Sequence, residues 1–141
     1  MKRLTLENYS KLNHLSRLAN YEEYNSNIVT MLMWNHYYKI YYELFDNYAL
    51  ILVEYPNLYA WLMPLCDKKY LKEAFESMKQ YSFDHNIDFV VHGLTQDVKE
   101  YCELNDIHFI YECHPPAVRA HRHDHLPLRL QEPFRSRGCP L

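Results

Sequence analysis

The chain has 141 residues, enough for one domain with a real core, and 48% of them are hydrophobic. That share, with fourteen tyrosines, excludes a disordered polypeptide, and a formal net charge of -3 excludes a strongly basic nucleic-acid binder. No apolar run reaches the roughly 18 residues that a membrane-spanning helix needs.

LTLENYSKLNHLSRLAN reads as a first helix, with Thr5 as cap and Tyr9, Leu12, Leu15 and Leu18/Ala19 recurring at helical spacing. NSNIVTMLMWN predicts a second, capped by Asn25 or Ser26, with Ile28, Leu32 and Trp34 directed inward. A meander of strands follows. YYKIYYELF (37–45) places Tyr38, Ile40, Tyr42 and Leu44 on one face and Lys39 and Glu43 on the other. Asp46-Asn47 turns into YALILVEY (48–55), an apolar run suited to a central strand, and Pro56-Asn57 turns into LYAWLM (58–63). Residues 67–86 form a long amphipathic helix, with Asp67 as cap and Leu71, Ala74, Phe75, Met78 and Tyr81 as its apolar stripe. DFVVHG (88–93) is a strand, Thr95 caps a short helix through Glu103, and IHFIYE (107–112) is a last strand. The order α-α-β-β-β-α-β-α-β implies an α+β fold: a mixed sheet with a three-strand antiparallel meander and helices packed on it.

The composition changes abruptly near residue 112. Residues 1–112 hold all eight lysines, ten asparagines, six isoleucines and fourteen tyrosines, whereas 113–141 hold five of seven arginines and five of seven prolines. The formal charge of the body is -6 (ten Lys/Arg against sixteen acids); that of the tail is +3 (five Arg against Asp124 and Glu132). Residue types with A/T-rich codons give way to types with G/C-rich codons, as a shifted reading frame, a fused foreign segment or a vector-derived end would produce. We therefore expect residues 1–112 to form the folded unit and 113–141 to be a non-native or disordered tail that builds no core element.

The stretches YNSNIVTMLMWNHYYKI, LMPLCDKKYLKEAFESM and FVVHGLTQDVKEYCE, with Gly93-Leu94-Thr95 ahead of the short helix, carry a resemblance over roughly residues 3–112. In order and spacing they resemble a bacterial family related to the C-terminal region of phosphatidylglycerol lysyltransferases, built on the acyltransferase fold of the GCN5-related N-acetyltransferases (GNAT). The resemblance implies the first of two tandem acyltransferase-like domains, inactive without the second. In the family, an aminoacyl group passes from a charged transfer RNA to a lipid. The alternatives are a stand-alone binding module that self-associates through its exposed inter-domain face, or a metal binder working through its tail.

Candidate chemistry is sparse, and catalytic residues stay unknown. An acetyl-CoA site needs free N–H groups at a glycine-rich turn before the long helix; PLCDKK offers no glycine and a proline without a donor, so no cofactor is expected. Cys66 before that helix is a nucleophile candidate, but a small buried cysteine is the plainer reading. His36 and His92 border the sheet as candidate acids or bases, with His92 facing the short helix; without partners they read as hydrogen-bonded structural histidines. Trp34, Tyr37 and Tyr38 offer an aromatic surface or a tie between helix and sheet. Lys68, Lys69 and Lys72 are phosphate candidates on what reads as a solvated helix face. In CHPPAVRAHRHDH, Cys113, His114, His121, His123 and His125 have zinc-ligand chemistry, but no folded scaffold to hold it, so no metal site is expected. Sixteen acids in the body argue against strong nucleic-acid binding. Four cysteines without a CxxC pair, and an opening MKRLTLENYSK without an apolar stretch, lead us to expect a cytoplasmic protein with reduced thiols.

Overall fold

The computed structural model describes residues 1–21, 27–108, 110–111 and 127–129. The run YALILV is buried along its whole length in strand β3 (Tyr48–Glu54), because both faces of the sheet are covered there. Tyr48, Leu50 and Leu52 enter one apolar cluster, and Ala49, Ile51 and Val53 enter the other, the alternation of a pleated strand. On its two sides β2 (Lys39–Leu44) and β4 (Tyr59–Leu62) pair antiparallel, with Tyr42 opposite Ile51 and Trp61 opposite Leu52. The two expected turns are closed by Phe45 N–H donating to the Tyr48 carbonyl and Tyr55 N–H to the Leu58 carbonyl, both at 2.9 Å. The predicted meander is present in the predicted register of faces.

β6 (Val90–His92) lies parallel to β4, with Val91 beside Trp61, which requires a crossover connection. That crossover is α3 (Leu71–Asp84), entered through a 3-10 turn at Lys68–Tyr70. Its buried stripe is Leu71, Ala74, Phe75, Met78 and Ser82, packed on the same face as α4 (Gln96–Leu104), which contributes Val98 and Cys102. α1 (Tyr9–Ala19) and α2 (Ile28–Trp34) cover the opposite face with Leu12, Leu15, Ile28 and Met31. The fold is α+β, and the order of meander, helix, strand, helix, strand is the one read from the sequence.

Several details differ from the sequence reading. α2 is capped by Asn27, whose side chain accepts the Val29 N–H at 2.8 Å; Asn25 and Ser26 lie outside the described residues. Its inward set is Ile28, Thr30 and Met31, whereas Trp34 is 44% exposed and lies beside the rings of Tyr37 and Tyr38. Thr5 accepts the Glu7 N–H but does not cap α1, where Asn8 holds the cap position with φ 60°. Only Ala19 of the Leu18/Ala19 pair is buried. Thr95 occupies the cap position of α4, but its hydroxyl bonds the Asp97 carboxylate rather than a backbone N–H.

Three short strands were not expected. β1 (Lys2–Arg3) pairs with β2, and β5 (Leu65–Cys66) pairs with β3 beyond the end of β4. β8 (Pro127–Arg129) lies between β6 and β7 (Ile110–Tyr111), giving the sheet order β1-β2-β3-β4-β6-β8-β7. β8 places three residues of the tail in the sheet, where the sequence reading expected no strand. Strand pairing uses backbone groups that composition does not reveal, and Pro127 stands at the first position of the strand, where a missing donor is tolerated.

Candidate functional site

The most concentrated arrangement of functional side chains is an aromatic row on the α1/α2 face of the sheet. Odd-numbered residues of β3 point to that face, and Tyr55 continues their alternation one residue beyond the strand. Its ring lies 5.0 Å from Tyr38 and 5.8 Å from His92. Tyr38 lies 6.1 Å from Trp34, which is also 5.6 Å from Tyr37; Tyr37 meets His36 edge-on at 5.5 Å. Ring planes are tilted along most of the row, and only the His36–Tyr37 pair has the edge-to-face geometry that aromatic quadrupoles favour. The row passes from buried to open: Tyr38 and Tyr55 pack against the core, while Tyr37 is 75% exposed.

The row unites five of the sequence candidates, His36, His92, Trp34, Tyr37 and Tyr38, and adds Tyr55, which sequence reasoning missed. His92 is the last residue of β6, but it does not face the short helix as expected. Val91 packs with Val98 and Cys102 of α4, so its neighbour His92 turns to the other face, beside Leu62. The open end of the row can stack a planar group. Gly93, at φ 81°, then redirects the chain from β6 towards α4, a conformation that favours glycine.

The turn that opens α3 is the place an acyltransferase fold would use for a pyrophosphate. Here the Asp67 carboxylate already accepts the Lys69 N–H at 3.2 Å. Pro64 has no N–H to offer, and its carbonyl accepts the Tyr21 hydroxyl at 2.5 Å. An anionic cap and a carbonyl in place of free donors do not fit a coenzyme A pyrophosphate. Nor is Lys68 a free cation: its ammonium lies 2.6 Å from the Asp97 carboxylate at the start of α4. Lys68 and then the Thr95 hydroxyl hold that carboxyl below its usual value. Lys69 lies 5.1 Å from the ring centre of Tyr70.

Cys66 lies fully buried beneath this turn. Burial pushes its thiol up to about 12, outweighing the neighbouring Tyr21 hydroxyl, which acts the other way. Cys102 is likewise pushed up to about 12 by burial. A nucleophilic cysteine needs the opposite shift, so Cys66 is the small apolar residue of the plainer reading. The Tyr21 phenol is raised well above its ordinary value, by burial first and by Cys66 next. These residues fasten the end of α1 to the junction of β4 and β5. A second polar network, on the α3/α4 face near the sheet edge, joins Lys39, Glu54 and Tyr41, with 2.6 Å from Lys39 to Glu54 and 2.8 Å from the Tyr41 hydroxyl to Glu54. Those two donors hold the Glu54 carboxyl below its usual value.

Cys113, His114, His121, His123 and His125 lie outside the described residues. Among the described residues, no three His, Cys, Asp or Glu side chains group so as to hold a metal ion, and no helix is long and apolar enough to cross a membrane.

No protein-family model and no curated protein matches the chain. A solved structure described as a conserved protein of unknown function from Bacteroides thetaiotaomicron is similar in fold, with a TM-score of 0.63 at 14% identity. The match covers 79% of this chain and 38% of that one, so the chain spans well under half the length of its structural relative.

Proposed function

We propose that this chain is the first acyltransferase-like unit of a larger protein related to the phosphatidylglycerol lysyltransferases, a cytoplasmic scaffold that does not turn over substrate alone. The order of elements carries the reading: a three-strand antiparallel meander passes through α3 into a strand parallel to β4, then through a short helix into the last strands. Two further observations support it. The matched structure is more than twice as long as the part matched. The turn before α3 and the buried Cys66 thiol lack the groups that acyl transfer from a bound cofactor would use. Charged transfer RNA and lipid are then substrates of the complete two-unit protein. The test supplies the isolated chain with lysyl-transfer RNA and phosphatidylglycerol vesicles. Background turnover is expected, and robust transfer would overturn the reading.

A second reading, an interaction module on the same scaffold, is favoured by α2. Val29 and Met33 stand one helical turn apart on α2 and are 51% and 66% exposed, an apolar stripe left open to solvent. Met33→Glu is expected to abolish concentration-dependent association in size-exclusion chromatography. A wild-type chain that stays monomeric at high concentration removes this reading.

A further inference from the structure

β6 and β7 run in the same direction, and both take β8 as an antiparallel neighbour. Arg129 stands between Val90 and Ile110, and Leu128 between Val91 and Tyr111. Two strand spacings put β6 and β7 roughly 10 Å apart, too far to bond each other directly. The two strands and the intervening α4 thus frame a slot one strand wide, whose walls are two rows of backbone N–H and carbonyl groups. An unfilled slot would expose two edges at once, the feature that draws in further strands.

The resident strand is a slight insert. It has three residues, and Pro127 has no N–H, so only Leu128 and Arg129 can donate to the ladder. Fifteen residues (112–126) separate it from β7, a length of chain that reaches roughly 50 Å when extended. The same three residues from another molecule would make the same ladder.

We infer that the slot between β6 and β7 is a strand-acceptor site, and that a second copy of this chain fills it with its own Pro127–Arg129, giving a reciprocal exchange dimer. Identical contacts form in monomer and dimer, so the connection alone sets the balance between them. Strand and slot belong to one chain in the monomer, so the closed monomer prevails in dilute solution and exchange requires crowding or a shorter connection. This dimer is independent of the α2 stripe and of the acyltransferase reading.

Deleting residues 112–126 joins Tyr111 directly to Pro127, so the strand cannot fold back beside its own β7. Light scattering should show this variant as a dimer at low micromolar concentration; a folded monomer overturns the inference. The full chain provides a second test that does not depend on the deletion variant folding. With Cys113→Ser and Cys139→Ser as background, Val91→Cys plus Leu128→Cys in one chain should form an intrachain disulfide when dilute. Refolding at about 1 mM a mixture of two variants, each with one of these substitutions and with Cys66 and Cys102 also replaced by Ala, should yield a cross-linked dimer joining residue 91 of one copy to residue 128 of the other. Failure of the intrachain bond removes the slot itself, and less than about one-tenth cross-linked heterodimer removes the exchange.

Discussion

Trp61 and Ser82 make the sharpest test of how the sheet is joined to α3. The indole N–H donates to the Ser82 hydroxyl at 2.8 Å, and the two residues are 0% and 2% exposed. Ser82→Ala removes almost no volume but leaves a buried donor without its partner, at a cost of about 1–3 kcal/mol. For a chain of this length, a loss of about 2 kcal/mol lowers the melting temperature by roughly 6 °C. Trp61→Phe removes the same bond and also part of the ring, so its cost is about 2–4 kcal/mol. Once the indole is gone, the Ser82 hydroxyl has no N–H to accept, and adding Ser82→Ala costs about 0.5 kcal/mol or less. The coupling from the double-mutant cycle is therefore about 1–2 kcal/mol. Urea unfolding followed by far-ultraviolet circular dichroism, with an unchanged slope across the four proteins, measures it. Independent effects of the two substitutions, or a Ser82→Ala cost below about 0.5 kcal/mol, would refute the reasoning.

Asn35 stitches three elements together: its amide donates to the Leu4 carbonyl at 2.7 Å, and its oxygen accepts the Ile40 N–H at 3.1 Å. Asn35→Ala is expected to cost about 2 kcal/mol in urea unfolding, and Asn35→Asp, which sets a carboxylate oxygen against the Leu4 carbonyl, at least as much. Asp67→Ala removes the cap on the Lys69 N–H and should cost about 1 kcal/mol, read as a melting shift of roughly 3 °C; Asp67→Asn should cost only a few tenths. The Cys66 and Cys102 thiols, pushed up to about 12, should resist iodoacetamide at pH 8 in the native chain and react on unfolding. The native state keeps protons that the unfolded thiols, with their usual value of 9.0, release, so stability falls as pH rises from about 9 to about 12. Cys66→Ala with Cys102→Ala should flatten that fall in the urea midpoint, and an unaltered slope would count against the assignment.

The meander was legible because its signals are local. YALILV is apolar throughout since both its faces are covered, and Asp46-Asn47 and Pro56-Asn57 are turn pairs whose closing bonds span only three residues. The α3 stripe was legible for the same reason, whereas Asp67 caps the 3-10 turn Lys68–Tyr70 that leads into α3 rather than the helix itself. β1 and β5 were not, because two residues carry no periodicity and are strands only through their partners in β2 and β3. Trp34 misled the reading of α2 because helical spacing assumes a core partner along the whole helix, whereas Trp34 meets the rings of Tyr37 and Tyr38 instead.

The same distinction explains what could be read of the candidate site. His36, His92, Trp34, Tyr37 and Tyr38 were visible as residue types, but their union depends on Tyr55, which joins Tyr38 to His92 across 17 and 37 positions of sequence. The alternation of Ala49, Ile51 and Val53, continued by one step, was the signal that pointed to Tyr55. The composition break near residue 112 shows the opposite failure. It is an unmistakable change in side chains, and it concealed β8 because a strand needs only backbone donors and acceptors in register. Leu128 and Arg129 meet that requirement whatever the origin of the segment that carries them. The slot between β6 and β7 is then selective for an extended backbone more than for a particular sequence, which is why an identical strand from a second molecule can take it.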